Sequence, residues 1–175
     1  YENTDWFDQL YKKHTSPQEH NLAFSGSGEK TSFYVTGRYL NQPGLFRYNS
    51  DDYKMYNFRA KGAIDVFSWL TLENNTDFSN VQYHNPLNVG EGGGIWRNMV
   101  AEGPPMAPMF NPDGTLTHSA AYTVGDFWYG KNGMDSDRRL LRNTPSFTSR
   151  FFEDKFQLKG DLTFQSLDDN EKRIR

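Results

Sequence analysis

Stretches of about ten residues in which apolar and polar side chains alternate recur along this chain, each bounded by a turn signal. In the clearest, residues 56–65, every second residue is apolar or small and those between are polar or charged. Because side chains alternate across a strand, this pattern predicts a sheet with one apolar and one polar face. We assign six antiparallel strands, at about residues 20–26, 31–40, 56–65, 69–78, 147–151 and 156–165.

The connections between these strands alternate in length. Short turns fall near residues 28, 67 and 154, and longer connections lie near residue 46 and across residues 79–144. This asymmetry is typical of a transmembrane β-barrel with short periplasmic turns and long extracellular loops. A short helix is expected at residues 95–102. Aromatic residues crowd the short-turn ends, as in a membrane-interface girdle, at Phe33, Tyr34, Phe67, Trp69, Phe151, Phe152 and Phe156.

Composition agrees with strands that are apolar on one face only. Aromatic content is 16% although hydrophobic content is 35% and mean hydropathy is -0.84. With a net charge of -3 and no stripe of Lys and Arg, the chain is not expected to bind nucleic acid. It has no cysteine, and no run of eighteen apolar residues predicts a transmembrane helix.

A soluble antiparallel sheet also alternates, so a soluble β-sandwich that binds carbohydrate is the alternative interpretation. Soluble strands typically have about five or six residues, whereas membrane strands need about nine to eleven. Four of the six assigned strands approach the greater length. A loop such as 79–144 is also too long for most compact soluble domains. The residues therefore favour the barrel.

An ordered series of strings resembles the SusC/RagA family of TonB-dependent receptors. Residues 3–6, 20–22 and 25–31 are similar to a family stretch in which "TDW" precedes "HNLSVSGGSEKT". The following strings are similar to "YYASLGYLDQEGI", "RYNFRLN" and "TDWLKLG", and they lie at residues 33–44, 56–59 and 67–72. The chain departs from the family pattern at Ser27, where a glycine is usual, and at Pro43, where an acidic residue is common.

The resemblance implies one part of an outer-membrane barrel of about 22 strands, plugged by an N-terminal domain. Residues 1–18 are then a lead-in segment, and residues 19–175 are a partial barrel whose long extracellular loop is 79–144, without the plug. It further implies import of glycans or oligopeptides, with no enzymatic step and no cofactor. The implied partners are a SusD-like surface lipoprotein, outer-membrane lipid, and TonB through the missing N-terminal part.

The sequence presents no catalytic set and no metal-ligand spacing among its four histidines. The strand pattern predicts lumen-facing polar residues, which are Arg38, Arg59, Lys61, Asp65, Glu73, Asp77, Arg150, Lys159 and Asp161. Loop aromatics are candidates for contact with ligand or partner, and the alternative is that they only pack the loop. These aromatics are Trp96, Tyr122, Trp128 and Tyr129.

Overall fold

The structure, a computed structural model, describes residues 3–86, 99–101, 103–130, 132–153 and 155–174. Two helices are described in full, α1 (Trp6–Leu10) and α2 (His118–Tyr129). No helix in the described ranges has the length and apolar character needed to cross a membrane. The strands are β1 (Gln18–Ser27), β2 (Thr31–Pro43), β3 (Asp52–Phe67), β4 (Leu70–Pro86), β5 (Gly133–Phe151), β6 (Phe156–Asp161) and β7 (Phe164–Ile174).

All seven strands belong to one antiparallel sheet in the order β1-β2-β3-β4-β5-β6, and β7 also pairs with β5. The sheet is therefore six strands wide, which confirms the predicted number and direction of strands. It is open, with β1 at one edge and β6 and β7 at the other. Its three tight hairpin connections lie where the sequence predicts them, near residues 28, 67 and 154.

Pro145 separates β6 from β7. Both strands pair with β5 in one register, because Ser146 faces Asp161 and Asn143 faces Phe164. Leu162 N donates to Pro145 O at 3.0 Å. Proline has no N–H to donate in return, so the ladder loses a bond at that point. The predicted sixth strand is thus one line of chain interrupted at residues 162–163, and it continues to Ile174.

The connection between β4 and β5 is shorter than predicted. β4 runs to Pro86 and β5 begins at Gly133, so strand residues occupy both ends of the span 79–144 that alternation had left as a loop. The helix expected at residues 95–102 lies mostly outside the described residues, and 99–101 are helical. Helices α1 and α2 were not predicted.

The buried hydrophobic residues of the described chain form one cluster at the long-loop end of the sheet. The cluster joins α1, α2 and the segments between them, and we call these parts (residues 3–12, 44–51, 99–101 and 103–130) the cap. Leu10, Ala120 and Val124 are at most 1% exposed. The rest of the cluster is Trp6, Met99, Met109 and Phe127. The long connection therefore carries a small packed core of its own.

Side-chain caps and backbone ties fix α1 within the cap. Asp5 Oδ1 accepts from the backbone N–H groups of Phe7 and Asp8, at 3.0 and 3.1 Å. Thr4 Oγ1 donates to Ala107 O at 2.7 Å, and Trp6 Nε1 donates to Pro104 O at 3.2 Å. The start of the chain is thus joined to a segment about a hundred residues later.

Candidate functional site

The register assigns every strand residue to one of two faces. Phe58 pairs with Gly37 on β2 and with Phe78 on β4, so these three share what we call the apolar face. Arg59 pairs with Thr36 and Asp77 on the opposite, polar face. The apolar face is uncovered, and its exposed members include Leu22, Phe24, Phe33, Tyr56, Phe58, Ile64, Leu72, Leu141, Phe147, Leu158, Leu162 and Phe164.

Charged residues are segregated completely between the two faces over a broad band of the sheet. On the apolar face, the described strands carry no Asp, Glu, Lys or Arg from Phe58 to Ile64 on β3 and at the paired positions on the other strands. The predicted lumen-facing residues all lie on the polar face of the register, at Arg38, Arg59, Lys61, Asp65, Glu73, Asp77, Arg150, Lys159 and Asp161.

A row of neighbouring aromatic rings marks the short-turn edge of this band. Phe67 lies 5.4 Å from Trp69 between ring centroids, Trp69 lies 6.2 Å from Phe151, and Phe151 lies 6.2 Å from Phe156. A register shift between Asp65 and Phe67 pairs Phe67 with Leu70, which puts the Phe67 ring on the apolar face. We call these four aromatics the lower belt.

A second row ends the band on the long-loop side. His20, Tyr39 and Tyr56 lie side by side on β1, β2 and β3, with ring centroids 6.2 and 5.0 Å apart. The row, which we call the upper belt, continues in register as Asn80, Arg139 and Asp168. Beyond it the apolar face becomes polar. From Tyr56 to Phe67, β3 advances eleven residues, which at ~3.3 Å each and a tilt of ~40° spans roughly 28 Å.

Hydrogen-bonded polar groups cover the opposite face. Arg59 Nε lies 3.1 Å from Asp77 Oδ1, and Arg38 Nε lies 2.9 Å from Glu19 Oε1. Arg150 Nη1 donates to Thr71 Oγ1 at 3.1 Å. A hollow of about 650 Å³ lies along this face, and Arg38, Arg59 and Asp77 are part of its lining. Both signs of charge line the face.

Three polar residues interrupt the apolar face near the middle of the band. Asn74 and Thr76 on β4 and Asn143 on β5 lie in the rows of Gly62 and Ala60. Asn74 Nδ2 donates to Thr76 Oγ1 and Thr76 Oγ1 donates to Asn143 Oδ1, both at 3.2 Å. Internal bonding reduces the free-energy cost of such groups in an apolar environment.

The loop aromatics that the sequence singles out lie in different environments. Trp128 packs in the cap, with its ring centroid 4.6 Å from Tyr48 and 5.3 Å from Phe110. Tyr122 and Tyr129 are 57% and 61% exposed on α2. Trp96 lies outside the described residues. Of these candidates, Tyr122 and Tyr129 are therefore the ones exposed on the described surface of the cap.

The sequence carried signals for α2 that alternation did not reveal. Thr117 caps the helix by accepting from Ala120 N, and Gly130 ends it at a φ of 63°. The buried residues Ala120, Val124 and Phe127 recur at helical spacing between those caps. Glu19, Asn75 and Thr71 were also missed, and each hydrogen-bonds one of the arginines that the sequence did identify.

Two titratable groups in the cap respond to their surroundings. Hydrogen bonds from the Thr115 hydroxyl and backbone N–H hold the pKa of Asp113 below its usual value. Burial, and then the charge of Asp51, raise the pKa of Tyr11. Within the described ranges, no group of three or more His, Asp or Glu side chains is arranged to hold a metal ion. Neither Asp113 nor Tyr11 belongs to a convergent acid and base pair.

Comparisons with known proteins agree with the geometry. No family model matches the chain. TonB-dependent receptor P26 of Formosa agariphila is 28% identical over 128 residues, which are 73% of this chain and 12% of that protein. The solved structure of the RagAB peptide transporter superposes over 93% of this chain with a TM-score of 0.57 and 18% identity. A "closed-closed" state of the RagAB peptide importer matches with the same TM-score and 17% identity.

The chain spans 19% of the matched RagAB chain and 12% of the receptor. The expected resemblance to SusC/RagA-type TonB-dependent receptors is confirmed, and so is the barrel-segment fold. The relatives are receptors and transporters rather than enzymes, as the sequence also predicts for this chain.

Proposed function

We propose that this chain, a segment of a SusC/RagA-type outer-membrane β-barrel, forms part of the wall of a TonB-dependent nutrient importer. The apolar face contacts lipid and the polar face lines the lumen or packs on the plug. The cap lies outside the cell, and the short hairpins lie in the periplasm. The chain performs no chemical conversion, since its role is to enclose a gated path.

One observation carries this proposal: the apolar face bears no charge across a band bounded by two belts, although both faces are uncovered. A charge at the lipid midplane costs about 2–4 kcal/mol in a barrel, so a lipid-facing wall excludes charge from one face. The roughly 28 Å between the belts is close to the apolar height of ~25 Å in such barrels.

Cysteine accessibility tests the orientation of the wall. In the full-length protein in outer membranes, Phe58→Cys and Arg59→Cys are compared for labelling by a charged maleimide, with Leu158→Cys and Lys159→Cys as a second pair. We expect residues 59 and 159 to react with the reagent from the lumen, and residues 58 and 158 to stay protected by lipid. Equal labelling within both pairs would refute the orientation.

The proposal extends to partners and cargo. The RagAB relative is a peptide transporter, and we propose that this chain serves uptake of oligopeptides or glycans together with a SusD-like lipoprotein. TonB engages the protein through its N-terminal part. The exposed rings of Tyr122 and Tyr129 on α2 support a contact role for the cap, because rigid aromatic surface is favoured at protein interfaces and sugar sites.

A pull-down from outer membranes tests the role of the cap. The full-length protein is compared with a Tyr122→Ala/Tyr129→Ala variant, and Phe152→Ala is the control because Phe152 is 80% exposed at the opposite end of the sheet. We expect the double variant to lose lipoprotein binding or cargo uptake, and we expect the control to keep both. If no lipoprotein co-purifies with the unaltered protein, the partner proposal fails while the wall proposal stands.

The soluble β-sandwich requires a second layer over the apolar face. The described strands form a single sheet, and large side chains such as Leu22 remain 61% exposed on it. A soluble module would bury that surface. The wall of an importer is therefore the function we propose.

A further inference from the structure

A chain of four hydrogen bonds connects the sheet to the cap at His84. His84 Nδ1 lies 2.5 Å from Asp135 Oδ1 on β5, and His84 Nε2 lies 3.0 Å from Asn49 Oδ1 in the β2–β3 loop. Asn49 Nδ2 donates to Asn132 O at 2.8 Å, and Asn132 Nδ2 donates to Asp126 Oδ1 on α2 at 2.7 Å. We call these five residues the latch.

The backbone at Gly133 and at Asn49 is adapted to this arrangement. A Cβ on Gly133 would lie 2.9 Å from His84 Cε1, so the imidazole ring occupies space that a larger residue would fill. Asn49 has a φ of 44°, a conformation that asparagine tolerates better than most residues but that still costs free energy. Its backbone conformation and its two amide contacts together fix where its oxygen lies.

The hydrogen-bond partners of the His84 ring determine which form of the ring can donate to both of them. Asn49 must present its oxygen to His84, because its NH₂ group is bonded to Asn132 O. Asp135, as a carboxylate, can only accept. Both ring nitrogens of His84 therefore face acceptors, and only the doubly protonated imidazolium donates to both.

Several other charged groups lie near the ring, and among them Asp137 and Glu171 line the same hollow as His84. Asp52 on β3 pairs with His84, and its carboxylate is 2.6 Å from Lys54 Nζ. Lys172 on β7 pairs with Asp135. From the cap, Asp126 is connected to the ring through Asn132 and Asn49. The ion pair with Asp135 is the direct charge contact of the ring, and its side chains are 31% and 58% exposed.

We propose that His84 is a proton-dependent latch that fastens the cap to the wall. At low pH the imidazolium donates to Asp135 and to Asn49, so the β2–β3 loop and the end of α2 stay bound to β4 and β5. When the ring loses a proton, one nitrogen faces an oxygen without a hydrogen between them. The Asn49 amide then either turns, which breaks its bond to Asn132, or moves away. The cap loosens as pH rises, whichever cargo the protein carries.

Two measurements on the full-length protein in detergent test the latch. Amide exchange, corrected for its intrinsic pH dependence, is followed for residues 44–51 and 118–130 between pH 5.5 and 8.0. We expect protection to fall about threefold to tenfold, the ratio that one hydrogen bond contributes. With ¹⁵N-histidine labelling, both ring nitrogens of His84 are expected to be protonated at pH 5.5, and only one at pH 8.0.

Variants separate the latch from general effects of pH. His84→Gln cannot change charge, so its protection in these segments is expected to be low and flat with pH. His118→Gln alters another exposed histidine of the cap and is expected to keep the wild-type profile. Asp135→Asn removes the carboxylate partner but can still accept, so its profile is expected to move to lower pH. A His84→Gln profile that follows the wild type, or a neutral His84 ring at pH 5.5, would overturn the proposal.

Discussion

Arg59 on β3 and Asp77 on β4 face each other across one strand pair, with Arg59 Nε 3.1 Å from Asp77 Oδ1. The same nitrogen also donates to Asn75 Oδ1 at 3.2 Å, and Asn75 Nδ2 donates to Asp77 Oδ2 at 3.1 Å. Three side chains thus share two strands and one face. The triad therefore joins β3 and β4 on the polar face of the sheet.

A double-mutant cycle measures this pair. The side chains of Arg59 and Asp77 are 54% and 34% exposed, so water screens their attraction. We expect a coupling free energy of about 0.2–1 kcal/mol for Arg59→Ala with Asp77→Ala, measured by denaturant unfolding of the full-length barrel. The control cycle combines Arg38→Ala with Asp77→Ala, because Arg38 pairs with Glu19 rather than with Asp77, and it should show no coupling.

Two alanines of β3 offer a matched test of its faces. Ala60 lies on the apolar face near the middle of the band, and Ala63 lies on the polar face opposite Glu73. We expect Ala60→Arg to lower the free energy of unfolding by about 2–4 kcal/mol because it places a charge in lipid. Ala63→Arg should change it by less than ~0.5 kcal/mol. Unfolding in phospholipid vesicles measures both, and equal losses would contradict the assigned faces.

Pro145 offers a test of the interrupted ladder. Pro145→Ala supplies an N–H opposite Leu162, so β6 and β7 should become one continuous strand. The added bond contributes about 0.5–1.5 kcal/mol, while loss of the proline ring costs about 0.4–1 kcal/mol through the unfolded chain. We therefore expect little net change in unfolding free energy but slow amide exchange at residue 145. Fast exchange there would show that the gap has another cause.

The cap core depends on Trp6, which is 4% exposed. Trp6→Ala should cost about 3–5 kcal/mol of local stability through the cavity it leaves. Amide exchange in α2 would then accelerate while exchange in β3 stays unchanged. Phe7→Ala, at a neighbouring position that is 45% exposed, is the control and should have a much smaller effect. Equal acceleration in β3 would contradict a separate core in the cap.

Asp113 gives the cap a measurable acid dependence. Its pKa is lowered by the bonds from Thr115, so its contribution to stability is fully present above the unfolded carboxyl pKa of about 3.9. That contribution disappears as pH falls through the lower folded pKa. Thr115→Val removes the hydroxyl donor and should raise the Asp113 pKa, as followed by carboxyl ¹³C chemical shifts. An unchanged pKa would assign the shift to the backbone N–H alone.

The alternation of apolar and polar residues predicted the part of the sheet between the two belts. It did not predict the rest, and the reason is physical. Between the belts one face is apolar, so the pattern of residues 56–65 is strong. Beyond the upper belt the face that carries Phe78 becomes polar, as at Gln82 and His84, whereas the opposite face carries Val81 and Tyr83, and β4 continues to Pro86. Because the alternation changes phase at the upper belt, no single apolar–polar period runs through the whole of β4. This is why alternation predicts a loop across residues 79–144.

The cap was harder to predict because its core is assembled from distant segments. Trp128 belongs to that core through contacts with Tyr48 and Phe110, and no local pattern distinguishes it from the exposed Tyr122. The caps of α2 at Thr117 and Gly130 could have located the helix. Its packing partners Trp6 and Leu10 could not be read from neighbouring sequence.

The joining of Trp6 to Pro104 also sets an order of events during assembly. Four strands, β1 to β4, lie between the two residues along the chain. Closing so long a loop from an unstructured chain is slow, whereas each hairpin forms from neighbours. Once these strands have paired, Trp6 and Pro104 are already close to each other. The cap should therefore form last, and only after the strands of the wall have paired in the correct register.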